Sequence, residues 1–323
     1  MYYSFEPKDL TISQVHQFLL SGVAPRPIAF VSTISDNGVN NLAPFSFFNA
    51  FGANPPMVAF SAARRGTNGT LKDTYHNLKA NGECVIHSVS HNILEQINLA
   101  SCDYPADVDE FKKAGFTPMD SDLVKPKRIK ESFFHMECKL FQMIELGEEN
   151  GSGNLAICKV VKFHINEGII TDGKILPDSI DLVGRNGQEF YTRASGNSIF
   201  EVRKPGGIKG IGFDNMPAIL LNSNVLTANN IAQLALVNSI PNYDYAFAVI
   251  KVVQTIEFSK EIFENKLRLN IYQEMAGMVK SILISDSEKD YVKNCIEQTI
   301  KSALSKNDVD FAWNFAIWAF EIK

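Results

Sequence analysis

The chain has 323 residues, 45% hydrophobic and 21% charged, with a formal net charge of −5. That length predicts about two domains, and that balance describes an ordinary globular protein. The acidic charge argues against nucleic acid as a partner, which demands a basic face. No apolar run reaches the roughly 18–20 residues that a membrane-crossing helix needs. The opening MYYSFEPKDL lacks the basic-then-apolar order of a signal peptide. Five scattered cysteines (Cys84, Cys102, Cys138, Cys158, Cys295) with no CxxC predict free thiols and a cytoplasmic location.

In chain order, Val15, Phe18 and Leu19 predict a short helix with Ser13 as its cap. Ile28–Ile34 reads as a strand. Asn37-Gly38 after it is a hairpin signal, because both positions accept positive φ. Leu42–Phe51 reads as one extended run, broken by Pro55-Pro56, and Met57–Ser61 as a third strand. Thr70–Ala80 predicts a helix entered from the loop Gly66–Gly69, followed by a strand over Glu83–Val89. Helices are expected over Asn92–Ala100 and near Asp109–Ala114. His135–Leu146 and Ala156–Asn166 predict a hairpin around Glu149-Asn150-Gly151, and residues 167–200 a polar end to this unit. Many strands, hairpin turns and few helices predict an antiparallel barrel, not a βαβ sheet.

The glycine-rich stretch Lys204–Gly212 reads as a linker. The domains are therefore expected at 1–204 and 213–323, the second an α+β module. Within it, Thr227–Val237 predicts a helix capped by Thr227, Tyr245–Phe258 a strand, and Leu267–Leu283 and Ser287–Leu304 amphipathic helices. The aromatic Phe311–Ile322, with Trp313 and Trp318, predicts a core strand.

Chemistry concentrates in residues 25–74. Arg26, Ser32, Thr33, Ser46, Asn49, Ser61, Arg64, Arg65, Thr67, Lys72 and Thr74 crowd an otherwise apolar segment. Ser32 and Thr33 must face opposite sides of a strand. A glycine loop that opens a helix offers N–H groups and a positive helix end to an anion, with Arg65 and Lys72 beside it. A solvated Arg-Arg pair before a capped helix reads equally well from this pattern. The GKS/T ending of a Walker loop, GxSxG, HExxH and a Rossmann GxGxxG are all absent.

The order RPIAFVST, NGVNNLAPFSFFNAF, NPPMVAFSAARR, KDTYHNL, EFKKAGFTP and ECKL resembles the flavin reductase-like family, whose members are FMN-binding split β-barrels of the flavoredoxin type. The resemblance spans roughly residues 20–200. It implies a mainly β fold, a Greek-key antiparallel split barrel, carrying the C-terminal module as an addition. It implies a homodimer holding non-covalent FMN near the subunit interface. Thr33, Ser46, Phe47, Phe48 and Asn49 would then lie along the isoalloxazine ring. Ser32, Ser61, Arg65, Lys72 and Thr74 would lie toward the ribityl chain and phosphate. NAD(P)H would be the hydride donor, and a small molecule or protein the electron acceptor. The flavin would carry the redox chemistry, with no catalytic side chain required. The alternatives are an electron carrier or sensor that does not oxidise NAD(P)H, and a flavin-free barrel. The sequence departs from the family at Val183-Gly184-Arg185, where a glycine pair is usual.

Other candidates read as structural. His87 and His91 have metal-like spacing only if helical, and they fall at a strand end. His76 is near Lys72 but reads as surface. His135 and His164 fall in strands without a motif, and Glu95 and Asp109–Glu110 read as solvated charges. Tyr104 and Phe111 belong to a loop that could cover a ring, and Tyr191 and Arg193 follow a turn that could approach it. For each, ordinary packing is the simpler reading.

Overall fold

Two strands at opposite edges of one sheet are joined by only two residues, and this closes the sheet on itself. In the computed structural model, which describes residues 1–242, 286–320 and 322, the strands are β1 (Ala29–Ile34), β2 (Asn40–Phe45), β3 (Phe48–Ala53), β4 (Pro56–Ser61), β5 (Glu83–His87), β6 (Pro118–Met119), β7 (Arg128–Ile129), β8 (Phe134–Glu145), β9 (Asn154–Ile165), β10 (Ile170–Thr171), β11 (Lys174–Ile175), β12 (Val183–Arg185) and β13 (Tyr191–Arg193). Seven of them form a sheet in the order β2-β1-β5-β8-β9-β4-β3. Ser46 and Phe47 alone join edge strand β2 to edge strand β3, so the sheet must curl until its edges meet. The Ser61 N–H donates to the Phe47 carbonyl at 2.9 Å, which extends the β3–β4 ladder by one residue toward the seam where β2 gives way to β3. The extended run expected over Leu42–Phe51 is therefore two strands, broken where the chain crosses the seam. The β1–β2 turn falls at the Asn-Gly pair, with Gly38 at φ 77°, but Asn37 does not take positive φ. Pro44 fits in β2 because an edge strand leaves one row of backbone groups unpaired.

Alternation sorts the side chains into two cores. Ala29 and Val31 join Phe45, Phe60, Ile86, Cys84, Cys138 and Cys158 inside the barrel. Phe30 and Ile28 face the other way, into a layer with Ile93, Ile97, Phe111 and Phe116. That layer is built from α3 (Leu94–Ala100) and α4 (Glu110–Ala114), while α1 (Ile12–Gly22) and α2 (Asp73–Asn81) precede them in the chain. Helix α1 is capped by Thr11, not Ser13. Gln14 at the third helical position completes a capping box with Thr11. Helix α2 starts later than the expected Thr70, because Asn68 Oδ1 accepts from both the Thr70 N–H and its hydroxyl and holds it in the loop.

The chain divides into two compact units, Met1–Glu201 and Val202–Lys323. In the second, α5 (Ala218–Leu221), α6 (Ala228–Ala235), α7 (Asp286–Ser305) and α8 (Val309–Phe320) are described. The strand expected over 245–258 and the helix expected over 267–283 lie outside the described residues. Thr227 caps α6 as expected. The strand expected over 311–322 is instead helix α8. Val309, Ala312, Trp313, Ala316 and Ile317 are its buried face, at helical spacing. The Trp313 indole donates to the Leu234 carbonyl at 2.8 Å.

Three neighbouring strands place His87, His135 and His164 side by side. Their ring centroids are 5.2 and 6.2 Å apart. His87 Nδ1 pairs with the Phe30 carbonyl at 2.8 Å, and the Ile129 N–H donates to its Nε2 at 3.1 Å, which fixes a neutral tautomer. Burial, reinforced by the neighbouring His135, pushes His87 down to about 3. Burial likewise pushes His135 down to about 4. An unfolded histidine binds its proton near pH 6.5, so between pH 6.5 and 4 the unfolded chain holds more protons at both sites. Their stabilising contribution is complete above pH 6.5 and falls as the pH drops, by up to about 1.4 kcal/mol per unit for each. Urea midpoints at pH 7 and pH 5 are expected to differ less in His135→Gln than in the parent. An equal drop in both would refute the assignment.

Candidate functional site

Lys72 sits at the N-cap of α2 and makes no side-chain hydrogen bond to it. The Tyr75 and His76 N–H groups reach the Lys72 carbonyl. The N–H groups of Asp73 and Thr74 take no partner among the described residues, and neither does the Lys72 ammonium. A cation beside two unpaired N–H groups at a positive helix end is an arrangement that attracts an anion, although Asp73, Asp103 and Glu110 share the lining of the cleft. Arg65, Lys72, Thr74 and Tyr104 line a small cleft there, of about 60 Å³, floored by β2.

Arg65 is more committed than the sequence suggests. Its guanidinium meets Asp103 at 2.9 Å and Asp73 at 3.8 Å, and donates to the Leu71 carbonyl at 2.7 Å. Its backbone N–H reaches the Thr70 carbonyl, and Gly69 N–H returns to the Arg65 carbonyl. The Gly66–Gly69 loop thus closes on Arg65. The amides left for an anion are those at the start of α2, not the Gly69 N–H.

Behind the cleft lies a buried polar network that sequence reasoning missed. Asn41 Oδ1 accepts from the hydroxyls of Thr33 (3.0 Å) and Thr74 (2.8 Å). Asn77 Nδ2 donates to Thr33 Oγ1 at 2.9 Å. Glu110 Oε2 accepts from the Leu42 N–H at 3.0 Å and from Asn41 Nδ2 at 3.4 Å. Glu110 is buried, not a solvated charge, because α4 packs onto β2. Burial raises its pKa, and the Leu42 N–H offsets part of that rise. The network ties α2 to the sheet and so fixes where Lys72 stands. Its members lie far apart in sequence, and no local pattern marks them.

The ten expected site residues separate into groups. Lys72, Arg65 and Thr74 meet at the cleft. Thr33 is fully buried, its hydroxyl engaged by Asn41 and Asn77. Ser32 is fully buried on the opposite face and donates to the Lys127 carbonyl at 2.6 Å. Ser61 Oγ accepts the Asn154 N–H at 3.1 Å. Ser46, Phe47, Phe48 and Asn49 form the seam. There Phe47 and Asn49 are exposed, whereas Phe48 turns inward against the barrel core. The seam follows β2 in the chain, and residues 41–45 of β2 floor the cleft. Arg26 is structural. Its guanidinium donates to the Leu20 (2.5 Å), Val23 (2.7 Å) and Asn186 (3.1 Å) carbonyls, holding the C-terminal end of α1.

The remaining candidates fall to packing. Phe111 is core. The Arg185 guanidinium stacks on the Tyr191 ring at 4.6 Å, and Arg193 pairs with Asp181 at 2.7 Å. Asp122, Glu137 and His164 cluster closely enough to hold a metal. Yet Glu137 already accepts from the Asp122 and Leu123 N–H groups and pairs with His164 at 2.6 Å. Lys162 sits on Asp122. No helix among the described residues is long and apolar enough to cross a membrane.

These features define an antiparallel β-barrel with a cation-bearing cleft at one edge, and known proteins share the fold. A sequence profile of the flavin reductase like domain matches residues 21–176. An uncharacterized protein of Aquifex aeolicus is 36% identical over 200 residues, 61% of this chain and 99% of its own. The nitrilotriacetate monooxygenase component B from Bacillus cereus superposes with a TM-score of 0.59 at 31% identity, over 62% of this chain and 99% of that one. A Shewanella frigidimarina protein with a split barrel domain superposes with a TM-score of 0.53 at 24% identity, over 63% and 100%. The fold is thus a split barrel. The chain belongs to the flavin reductase-like family.

Proposed function

We propose that this chain is an FMN-dependent oxidoreductase that takes a hydride from NAD(P)H and passes electrons to a small-molecule or protein acceptor. The observation that carries this reading is the unpartnered Lys72 at the uncapped start of α2, in the cleft floored by β2. The terminal phosphate of FMN suits that cleft, and the Ser46–Asn49 seam suits a flat ring. When bound, the flavin supplies the hydride chemistry. This chain's residues then bind and orient it: Lys72 and the Asp73 and Thr74 N–H groups hold the phosphate, with Arg65 keeping the loop in place. Asn49 and the seam backbone orient the ring. The buried hydroxyls of Thr33 and Thr74 support the cradle from behind through Asn41, whereas those of Ser32 and Ser61 are engaged elsewhere.

Titration of FMN-free protein is expected to quench flavin fluorescence to saturation, and anaerobic NADH or NADPH to bleach the bound flavin. Saturable FMN binding without bleaching would leave an electron carrier or sensor. No FMN binding would remove the reading altogether. A homodimer is proposed as well. Edge strand β3 has one neighbour only, and its Phe51 is 70% exposed, an arrangement that invites a covering partner. Sedimentation is expected to give twice the chain mass, and a monomer at micromolar concentration would contradict it.

A further inference from the structure

A second concavity in the first unit has a chemistry of its own. It measures about 310 Å³ and lies between the ends of β5 and β8 on one side and the β12–β13 hairpin on the other. Its walls are aromatic and aliphatic, with Phe48, Phe134, Met136, Val183 and Ala194 among them. The polar side chains of its lining are engaged elsewhere. The two nitrogens of His87 are taken by the Phe30 carbonyl and the Ile129 N–H. Ser88 Oγ pairs with Ser132 Oγ. Thr192 Oγ1 accepts from Asn186 at 2.6 Å. The Arg26 guanidinium holds three carbonyls.

We infer that this cavity is a binding site for a small, uncharged aromatic molecule of about two fused rings. The size follows from volume. A dry apolar cavity of about 150 Å³ accommodates one benzene, so this one has room for roughly twice that. The class follows from the walls. Aromatic edges and the Met136 thioether favour a π-system, and the one lining cation, Arg26, is spent on carbonyls, so the desolvation of a carboxylate or phosphate would meet no compensating charge. The inference does not rest on the flavin reading. Phe48 does link the two, because it lines this cavity and belongs to the seam proposed for the ring.

The test is a ¹⁹F NMR titration of FMN-free full-length protein with 1-fluoronaphthalene, repeated with Ala194→Phe. The substitution fills the cavity from the hairpin side. Saturable binding below about 100 µM, weakened at least tenfold in Ala194→Phe with FMN affinity unchanged, is the expected result. 1-Naphthoate is expected to bind at least tenfold more weakly than 1-fluoronaphthalene, and equal or tighter naphthoate binding would overturn the uncharged class. No saturable binding up to the solubility limit, or equal binding to parent and variant, would overturn the site itself. Should Ala194→Phe not fold, Ala194→Leu is the smaller filler for the same comparison.

Discussion

Lys72→Ala is expected to weaken FMN binding by about 10- to 100-fold while leaving riboflavin binding and thermal stability nearly unchanged. A charge-assisted bond between an ammonium and a phosphate oxygen contributes about 1.5–3 kcal/mol, and each 1.4 kcal/mol is tenfold in affinity. Nothing in the described residues pairs with Lys72, so its removal breaks no native contact. That separates it from Arg65, which also ties down Asp103 and the Leu71 carbonyl. Arg65→Ala should lower both affinity and stability, and so report on the loop as much as on the phosphate. Riboflavin has the same ring without the phosphate, and it makes the comparison decisive. Equal loss of both ligands would move Lys72 away from the phosphate, and an unchanged FMN dissociation constant would remove its role. Raised salt should weaken FMN binding to the parent more than to Lys72→Ala, because screening acts on the charge that the variant lacks.

Arg26→Ala should be the most destabilising single change in the first unit outside its core. Arg26 is 4% exposed and faces no carboxylate. Burial and the nearby Arg185 both disfavour its charge. It is tolerated because its guanidinium meets the Leu20 and Val23 carbonyls at the negative end of α1, together with the Asn186 carbonyl. Losing these leaves three part-buried carbonyls without their charged donor, at a cost of about 3–5 kcal/mol, or roughly 10 °C in melting temperature for a unit of this size. Lysine at this position keeps the charge but not the planar fork, and should recover less than half of the loss. A melting temperature within about 2 °C of the parent would show that α1 is not held this way.

Much of the barrel was legible because alternation and turn chemistry are local. β1, its Asn-Gly turn and the β8–β9 hairpin each lie within a residue or two of where the pattern puts them. Lys72 was legible for a related reason, since a cation at the entry to a helix is a short-range arrangement. The aromatic run in α8 was misread. Its apolar residues are so dense that periods of 2 and 3.6 fit equally well, and only packing against Leu234 and the α6–α7 core selects the helix.

Glu110 shows where local reasoning stops. Beside Asp109 in a charged loop it reads as solvated, yet it is buried against the Leu42 N–H, 68 residues away. The break at Ser46-Phe47 is similar: two residues look like the middle of a strand until barrel closure demands a crossing. The sequence by itself determined most of the long barrel strands, the barrel class and the cation of the candidate site, because each rests on side-chain periodicity or on neighbours within a few residues. Only the tertiary structure decided which hydroxyls are taken up by the buried network, that Arg26 and Glu110 are buried, and that an apolar cavity lies beneath the β12–β13 hairpin. Those depend on which distant segments exclude water from one another, and burial is a property of the assembled surface, not of any one stretch of chain.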